Sequence, residues 1–267
     1  MSNAPYRTVA VASTFSPRFI KVLAEANRLR QRFGADLRLI YVGERDEATL
    51  RRFSSAFAEL QLPADLPVHF ETGDPARAIL KVCDEEAVDI VIAGALEREV
   101  ILRPLLGDVA RTLVREARCS VVLFTKPEAP PLPFRRIVFL ADYSEHGLRA
   151  LQTTISLAAA EQSERLYVVR VYTSFDEARA AAQTPNARTI EEEERALEEF
   201  IDRAGSTEVP IEAHCLRGTS GFAALDFIQS VAANLLAVPV DPSEGGALPN
   251  NVAWVTETIP CNLWVIR

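Results

Sequence analysis

The chain has 267 residues, 48% of them hydrophobic and 25% charged, with a formal net charge of −8. That length exceeds the ~100–150 residues of a usual domain, so two domains are expected, each able to bury its own core. The composition excludes long-range disorder. Residues 1–133 hold 18 Lys+Arg against 18 Asp+Glu, and residues 134–267 hold 11 against 19. Neither half clusters positive charge, so nucleic acid and membrane surfaces are excluded as partners.

Without a run of about 18 apolar residues or a basic-then-apolar leader, the chain reads as unexported and cytoplasmic. Cys83, Cys119, Cys215 and Cys261 are far apart, with no C-x-x-C and no histidine at metal spacing. They read as buried free thiols of a reducing compartment, supporting neither a metal site nor a redox pair.

Thr8–Ala12 predicts a first strand, after which Ser16 is expected to cap a helix with Pro17 in its first turn. Phe19, Val22, Leu23, Ala26, Leu29 and Phe33 recur at helical spacing, and Gly34 ends that helix. Leu37–Val42 predicts a strand; Leu50, Phe53, Phe57 and Leu60 mark a second helix; Val68–Glu71 is a short strand. Asp74-Pro75 starts a third helix carrying Ile79, Leu80 and Cys83, and Asp89–Ala93 is a buried strand. A loop, a helix from Asp108 to Glu116 and a strand Ser120–Thr125 close a first domain, 1–125.

Residues 126–133, Lys-Pro-Glu-Ala-Pro-Pro-Leu-Pro, form an extended linker that neither helix nor central strand absorbs. The second domain, 134–267, repeats the layout. Arg136–Ala141 is a strand, Asp142-Tyr143-Ser144 leads into a helix marked by Leu148, Leu151, Ile155 and Ala158, and Leu166–Tyr172 is a strand. A long polar stretch reaches Thr189, which opens a helix through a capping box with Glu192. The run Glu191–Glu194 reads as that helix's solvated face, with Glu191 spaced to pair with Arg195. A strand near Ile211–Leu216, a helix from Ser220 to Ala232, a strand Leu235–Val238, a shortened loop, a final helix and a strand Leu263–Ile266 complete it. Strands alternating with helices imply a parallel sheet covered on both faces, so the fold class is α/β, two doubly wound parallel-sheet domains in tandem.

The layout, with Asp142-Tyr-Ser-Glu145, the strand-Gly73-Asp-Pro junction, Asp89-Ile-Val-Ile-Ala-Gly94 and Gly107-Asp-Val-Ala followed by Cys119-Ser-Val-Val, resembles the universal stress protein family over the whole chain. The resemblance implies an adenine nucleotide alpha hydrolase-like fold. In its ATP-binding members a Gly-x2-Gly-x9-Gly-Ser/Thr loop follows the fourth strand and an Asp ends the first. Glycines let backbone N–H groups reach phosphates at a helix N-terminus. Here Gly94 and Gly107 match, but Glu97 takes the middle glycine's place and Asp108 that of the Ser/Thr. Both put a carboxylate where phosphate oxygens would lie, and Asp108 is expected to cap the following helix instead. Thr14 stands where the first-strand Asp belongs, and Val42 at the end of the second strand completes the set of degenerate nucleotide-site positions.

The second domain keeps the acid as Asp142 but has Pro239 at the place of Gly94 and Pro249-Asn250 at that of Gly107-Asp108. Gly245-Gly246 in that loop reads as a turn. By the same resemblance Ser120–Thr125 and Leu263–Ile266 would pair across a pseudo-twofold, making the chain an intramolecular pseudo-dimer, with further self-association left open.

The expected function is a non-catalytic stress-response or regulatory protein serving a protein partner or small ligand of unknown identity. The alternative is an adenine-nucleotide sensor using the first domain, with Arg98 and Arg103 offsetting Glu97. No cofactor is expected; ATP or another adenine nucleotide is the one left open. Gly218-Thr-Ser220-Gly221 falls one residue short of a nucleophile elbow, with Ser220 read as a helix cap. His69, His146 and His214 lack a sequence-evident Ser or Cys partner and read as ordinary residues.

Overall fold

Val9, Ala10 and Val11 have no exposed surface, and neither do Ile90, Val91 and Ile92. Apolar runs of this kind, without polar alternation, are strands covered on both faces. The computed structural model describes residues 5–95, 106–185, 187–218, 220–242, 248 and 252–267, without the side chain of Ser220. The chain divides into two units, Met1–Leu132 and Pro133–Arg267.

In the first unit β1 (Thr8–Ser13), α1 (Phe19–Phe33), β2 (Asp36–Val42), α2 (Glu47–Glu59) and β3 (Val68–Glu71) are followed by α3 (Pro75–Glu85), β4 (Ile90–Gly94), α4 (Asp108–Glu116) and β5 (Ser120–Phe124). The strands lie in the order β3-β2-β1-β4-β5 and every pair is parallel. The chain winds outward from β1 to β3 and then returns to β4. Right-handed crossovers therefore put α1 and α2 on one face and α3 and α4 on the other. α1 packs on β1, β2 and β4, and α3 on β2, β3 and α4.

Local signals set the helix ends. Asp74 accepts from the Arg77 amide at 2.9 Å with Pro75 in the first turn, and Gly34 closes α1 at φ 67°. Two expectations are corrected. Ser16 does not cap α1: its carbonyl accepts from Phe19 N at 3.0 Å and its hydroxyl from Arg18 N at 3.3 Å, so Ser16-Pro17 form a turn ahead of the helix. Leu50 is 40% exposed, because α2 buries the stripe Thr49, Phe53, Ala56 and Phe57 instead.

The second unit runs β6 (Arg136–Leu140), α5 (Glu145–Ala160), β7 (Arg165–Tyr172), α6 (Ser174–Ala181), α7 (Ile190–Ala204), β8 (Ile211–Arg217), α8 (Ser220–Ser230), β9 (Leu235–Pro239) and β10 (Asn262–Ile266). Its order, β8-β7-β6-β9-β10, repeats that of the first, again all parallel. The capping box of Thr189 and Glu192 opens α7 as expected. α6 lies within the stretch expected to be merely polar; a second capping box, Thr173 with Asp176, starts it, and none of its residues is buried. The expected final helix is a four-residue 3₁₀ turn, Ala253–Thr256.

Candidate functional site

Strand order reverses between β1 and β4 in the first unit and between β6 and β9 in the second, and doubly wound sheets take ligands beyond the strand C-termini at such a point. Register fixes which residues arrive there. Val9–Val11 lie against Ile90–Ile92, and Ile137–Phe139 against Leu235–Ala237. Thr14 and Asp142, each five residues beyond the equivalent Val9 and Ile137, therefore hold the same register position. Gly94 faces Phe124 and Pro239 faces Ile266, each at the last residue of its strand. The same counting pairs Val42 with Val171, and His69 with His214.

In the first unit Thr14 and Gly94 are exposed and Val42 is half-buried. A Cβ on Gly94 would meet Val22 Cγ2 at 3.6 Å, an ordinary contact, so among the described residues nothing forbids a side chain there. Gly107 is buried and donates to the Ala95 carbonyl at 3.1 Å, which brings the start of α4 beside the end of β4. Asp108 does not cap α4. Gly107 is the N-cap and makes no side-chain cap bond, while Asp108 is the first helical residue, its side chain 88% exposed and 3.3 Å from Arg111. A carboxylate there still favours the positive end of the helix dipole. Glu97, Arg98 and Arg103 lie outside the described residues, as do Gly245, Gly246, Pro249 and Asn250.

In the second unit Asp142 is turned back onto its own helix. Its Oδ1 accepts from Ser144 N at 3.0 Å and Ser144 Oγ at 2.9 Å. It also lies where a Cβ on residue 147 would be, 1.9 Å from that position, so Gly147 makes its room. Ser144, which caps α5 through the Gly147 amide at 2.8 Å, holds both groups together. The reading of Ser220 as a cap rests on a side chain outside the described residues.

Sequence reasoning missed the residue next to this acid. Phe15 packs against Tyr41 and Phe53 at ring distances of 5.1 and 4.8 Å, with the Arg52 guanidinium 3.9 Å above it. Tyr143 holds the same place in the second unit, under Arg170 and Arg188 at 5.4 and 5.3 Å. Both arginines pair with Glu193, at 2.8 and 3.4 Å. Glu193 is only 5% exposed, so the run Glu191–Glu194 is not a uniformly solvated face. Burial, then the Glu193 carboxylate, push the Tyr143 phenol pKa well up. A groove of about 660 Å³ opens beside Phe15, edged by Pro17, Ile20, Arg51 and Arg52; none of the described nucleotide-site positions lines it.

His146 is buried, its Nε2 3.0 Å from the Ile266 carbonyl. His214 Nε2 lies 3.1 Å from Glu212, itself ion-paired to Arg165, and its ring packs on Phe227 at 4.7 Å. Burial lowers the His214 pKa. A histidine with a depressed folded pKa contributes stability that is present above its unfolded pKa and is lost as pH falls through the folded one. The urea midpoint is therefore expected to drop between about pH 7.5 and pH 5, and less steeply in His214→Phe; parallel curves for the two proteins would refute this.

All four cysteines are free, and Cys83 and Cys119, distant in sequence, hydrogen-bond to one another. Cys215 is half-buried and pushed up to about 11 by burial, and Cys261 to about 12 by the same cause. Among the described residues no group of three His, Cys, Asp or Glu is placed to hold a metal ion, and no helix is long and apolar enough to cross a membrane.

The family model described as the universal stress protein family matches residues 5–125 and again residues 133–267. A universal stress protein from Archaeoglobus fulgidus DSM 4304 is similar in structure, with a TM-score of 0.71 and 17% identity, covering 99% of each chain. A protein from Pseudomonas aeruginosa PAO1, described as functionally unknown, matches with a TM-score of 0.71 at 15% identity, over 99% of this chain and 94% of its own. No curated protein matches the chain significantly.

Proposed function

The chain belongs to the universal stress protein family, and from that premise we propose that it is a non-catalytic stress-response or regulatory protein of the cytoplasm, with both nucleotide sites degenerate. Its clefts then serve a protein partner or a small ligand other than ATP. The observation that carries this reading is the pair of changes at equivalent ends of β4 and β9. In the first unit α4 opens on an exposed Asp108 carboxylate, where an incoming phosphate would be repelled. In the second, Pro239 occupies the place of Gly94 and has no N–H to offer. Asp142, the one acid retained, is engaged by Ser144.

Isothermal titration of the purified chain with ATP, ADP and AMP at physiological magnesium tests the proposal. No binding is expected at ligand concentrations on the order of 100 μM. A micromolar Kd would overturn it and favour a nucleotide sensor built on the first unit, where the start of α4 lies beside the end of β4.

A further inference from the structure

Cys83 lies near the end of α3 and Cys119 immediately precedes β5. Both are buried, at 4% and 9% exposure, and their thiols are in hydrogen-bond contact. The duplicated fold supplies an internal comparison. Val88 N donates to the Cys83 carbonyl at 2.9 Å and Ala233 N to the Ile228 carbonyl at 3.0 Å, each just after a left-handed alanine, Ala87 at φ 46° and Ala232 at φ 48°. Ile228 thus holds in the second unit the place of Cys83. Ser120 faces Ile90 and Asn262 faces Leu235, so Cys261 holds the place of Cys119. One position pair is Cys–Cys in the first unit and Ile–Cys in the second. Ile228 is 1% exposed, so an isoleucine packs this position fully and filling the core does not require a second thiol.

We propose that Cys83 and Cys119 form an oxidative modification site, a dithiol that a peroxide converts into an intramolecular disulfide tying α3 to the start of β5. One sulfur, as thiolate, attacks a peroxide oxygen; the O–O bond breaks, a sulfenic acid forms, and the departing oxygen leaves as water after taking up a proton. The second sulfur then attacks the sulfenic sulfur; the S–S bond forms, the S–O bond breaks, and the hydroxyl leaves as a second water. Two thiols lose two hydrogens in total and the peroxide is reduced to two waters. Thiolate is the reactive form and burial disfavours it, so the closed pair is protected and oxidation waits on local opening of α3 from the sheet. The disulfide accordingly forms fastest where oxidant and partial unfolding coincide.

The full chain is treated with hydrogen peroxide well below its thermal transition and again at its onset, alkylated in denaturant and mapped by mass spectrometry. The expected product is a Cys83–Cys119 linked peptide, with free thiols falling from four to two, forming at least about tenfold faster at the onset. Cys83→Ser abolishes it, and Ile228→Cys creates an equivalent link to Cys261 in the second unit. The Ile228→Cys arm reads the position pair even where Cys83→Ser folds poorly. Thiol loss confined to half-buried Cys215, unlinked sulfinic or sulfonic acids at Cys83 and Cys119, links only between chains, or failure of the Ile228→Cys link would overturn the proposal.

Discussion

Replacing Arg28 with methionine is expected to destabilise the first unit by about 3–5 kcal/mol, and the double change Glu25→Leu with Arg28→Met to restore most of that loss. Glu25 and Arg28 lie on α1 at 4% and 8% exposure, joined by Arg28 Nη2 and Nε donating to Glu25 Oε2 at 2.9 and 3.1 Å. The other carboxylate oxygen accepts from the Glu128 amide at 3.4 Å, so this buried charge also holds the proline-dense segment after β5. Burial raises the Glu25 pKa and lowers that of Arg28, and each partner works against that shift. Desolvation costs several kcal/mol per ion and is offset only while both charges are present, so removing one is worse than removing both. With an m-value of ~1–3 kcal/mol/M, Arg28→Met should lower the midpoint of the urea transition by more than about 1 M. The sign of the pH dependence follows. A carboxyl whose folded pKa lies above its unfolded value contributes stability that is complete below the unfolded pKa and is lost as pH rises through the folded one. Arg28→Met removes the cation that restrains that shift, so the variant should recover stability on acidification more than wild type does. A drop below about 0.3 M, or a double variant no better than the single, would show that the pair is not what holds this helix face.

The order of elements was legible because helix starts and stops are local. Asp74-Pro75, Thr189 with Glu192, and Gly34 each state an end in a few residues, and the fold sets them where those residues say. α6 escaped because a capping box at Thr173 and Asp176 opens a helix with no buried stripe, and periodicity has nothing to detect there. Pairings between elements were the other loss. The charges that neutralise Glu193 come from β7 and from the segment before α7, so an acidic run that is solvated by composition contains one buried, doubly paired member. The contact of Cys83 with Cys119 likewise requires the crossover that lays α3 across the sheet. At the candidate site, residue types at fixed spacing were readable, but what they do was not. Gly107 takes the N-cap conformation, φ −62° and ψ 155°, which moves Asp108 inside the helix and out of capping geometry. Asp142 is present as the resemblance requires, yet its oxygen is committed to Ser144.

Changing Glu97 to glycine and Asp108 to serine together is expected to raise ATP affinity by about 10- to 100-fold, or ~1.4–2.8 kcal/mol. Each carboxylate, ~4 Å from a phosphate oxygen, would cost ~1–4 kcal/mol at effective dielectrics from 80 down to 20, and the expected gain takes the lower part of that range because Asp108 is exposed and its field screened. Two further effects act in the same direction. Asp108→Ser removes the carboxylate now 3.3 Å from Arg111, whose guanidinium keeps its bond to the Leu106 carbonyl and adds positive charge at this helix end. Glu97→Gly removes a side chain at the position the family pattern keeps as glycine. Gly107, the N-cap of α4, has no side chain to displace from the helix N-terminus. Pro239→Gly in the second unit is the contrasting case: it restores an N–H at the end of β9 but leaves Asp142 tied to Ser144, and it should gain nothing measurable. Titration calorimetry of the two variants against ATP, at two salt concentrations, separates the contributions, because the electrostatic part of the Glu97/Asp108 gain shrinks as salt rises. Unchanged affinity in the double variant would mean that these carboxylates are not what keeps the nucleotide out, and the missing first-strand acid at Thr14 would become the limiting defect.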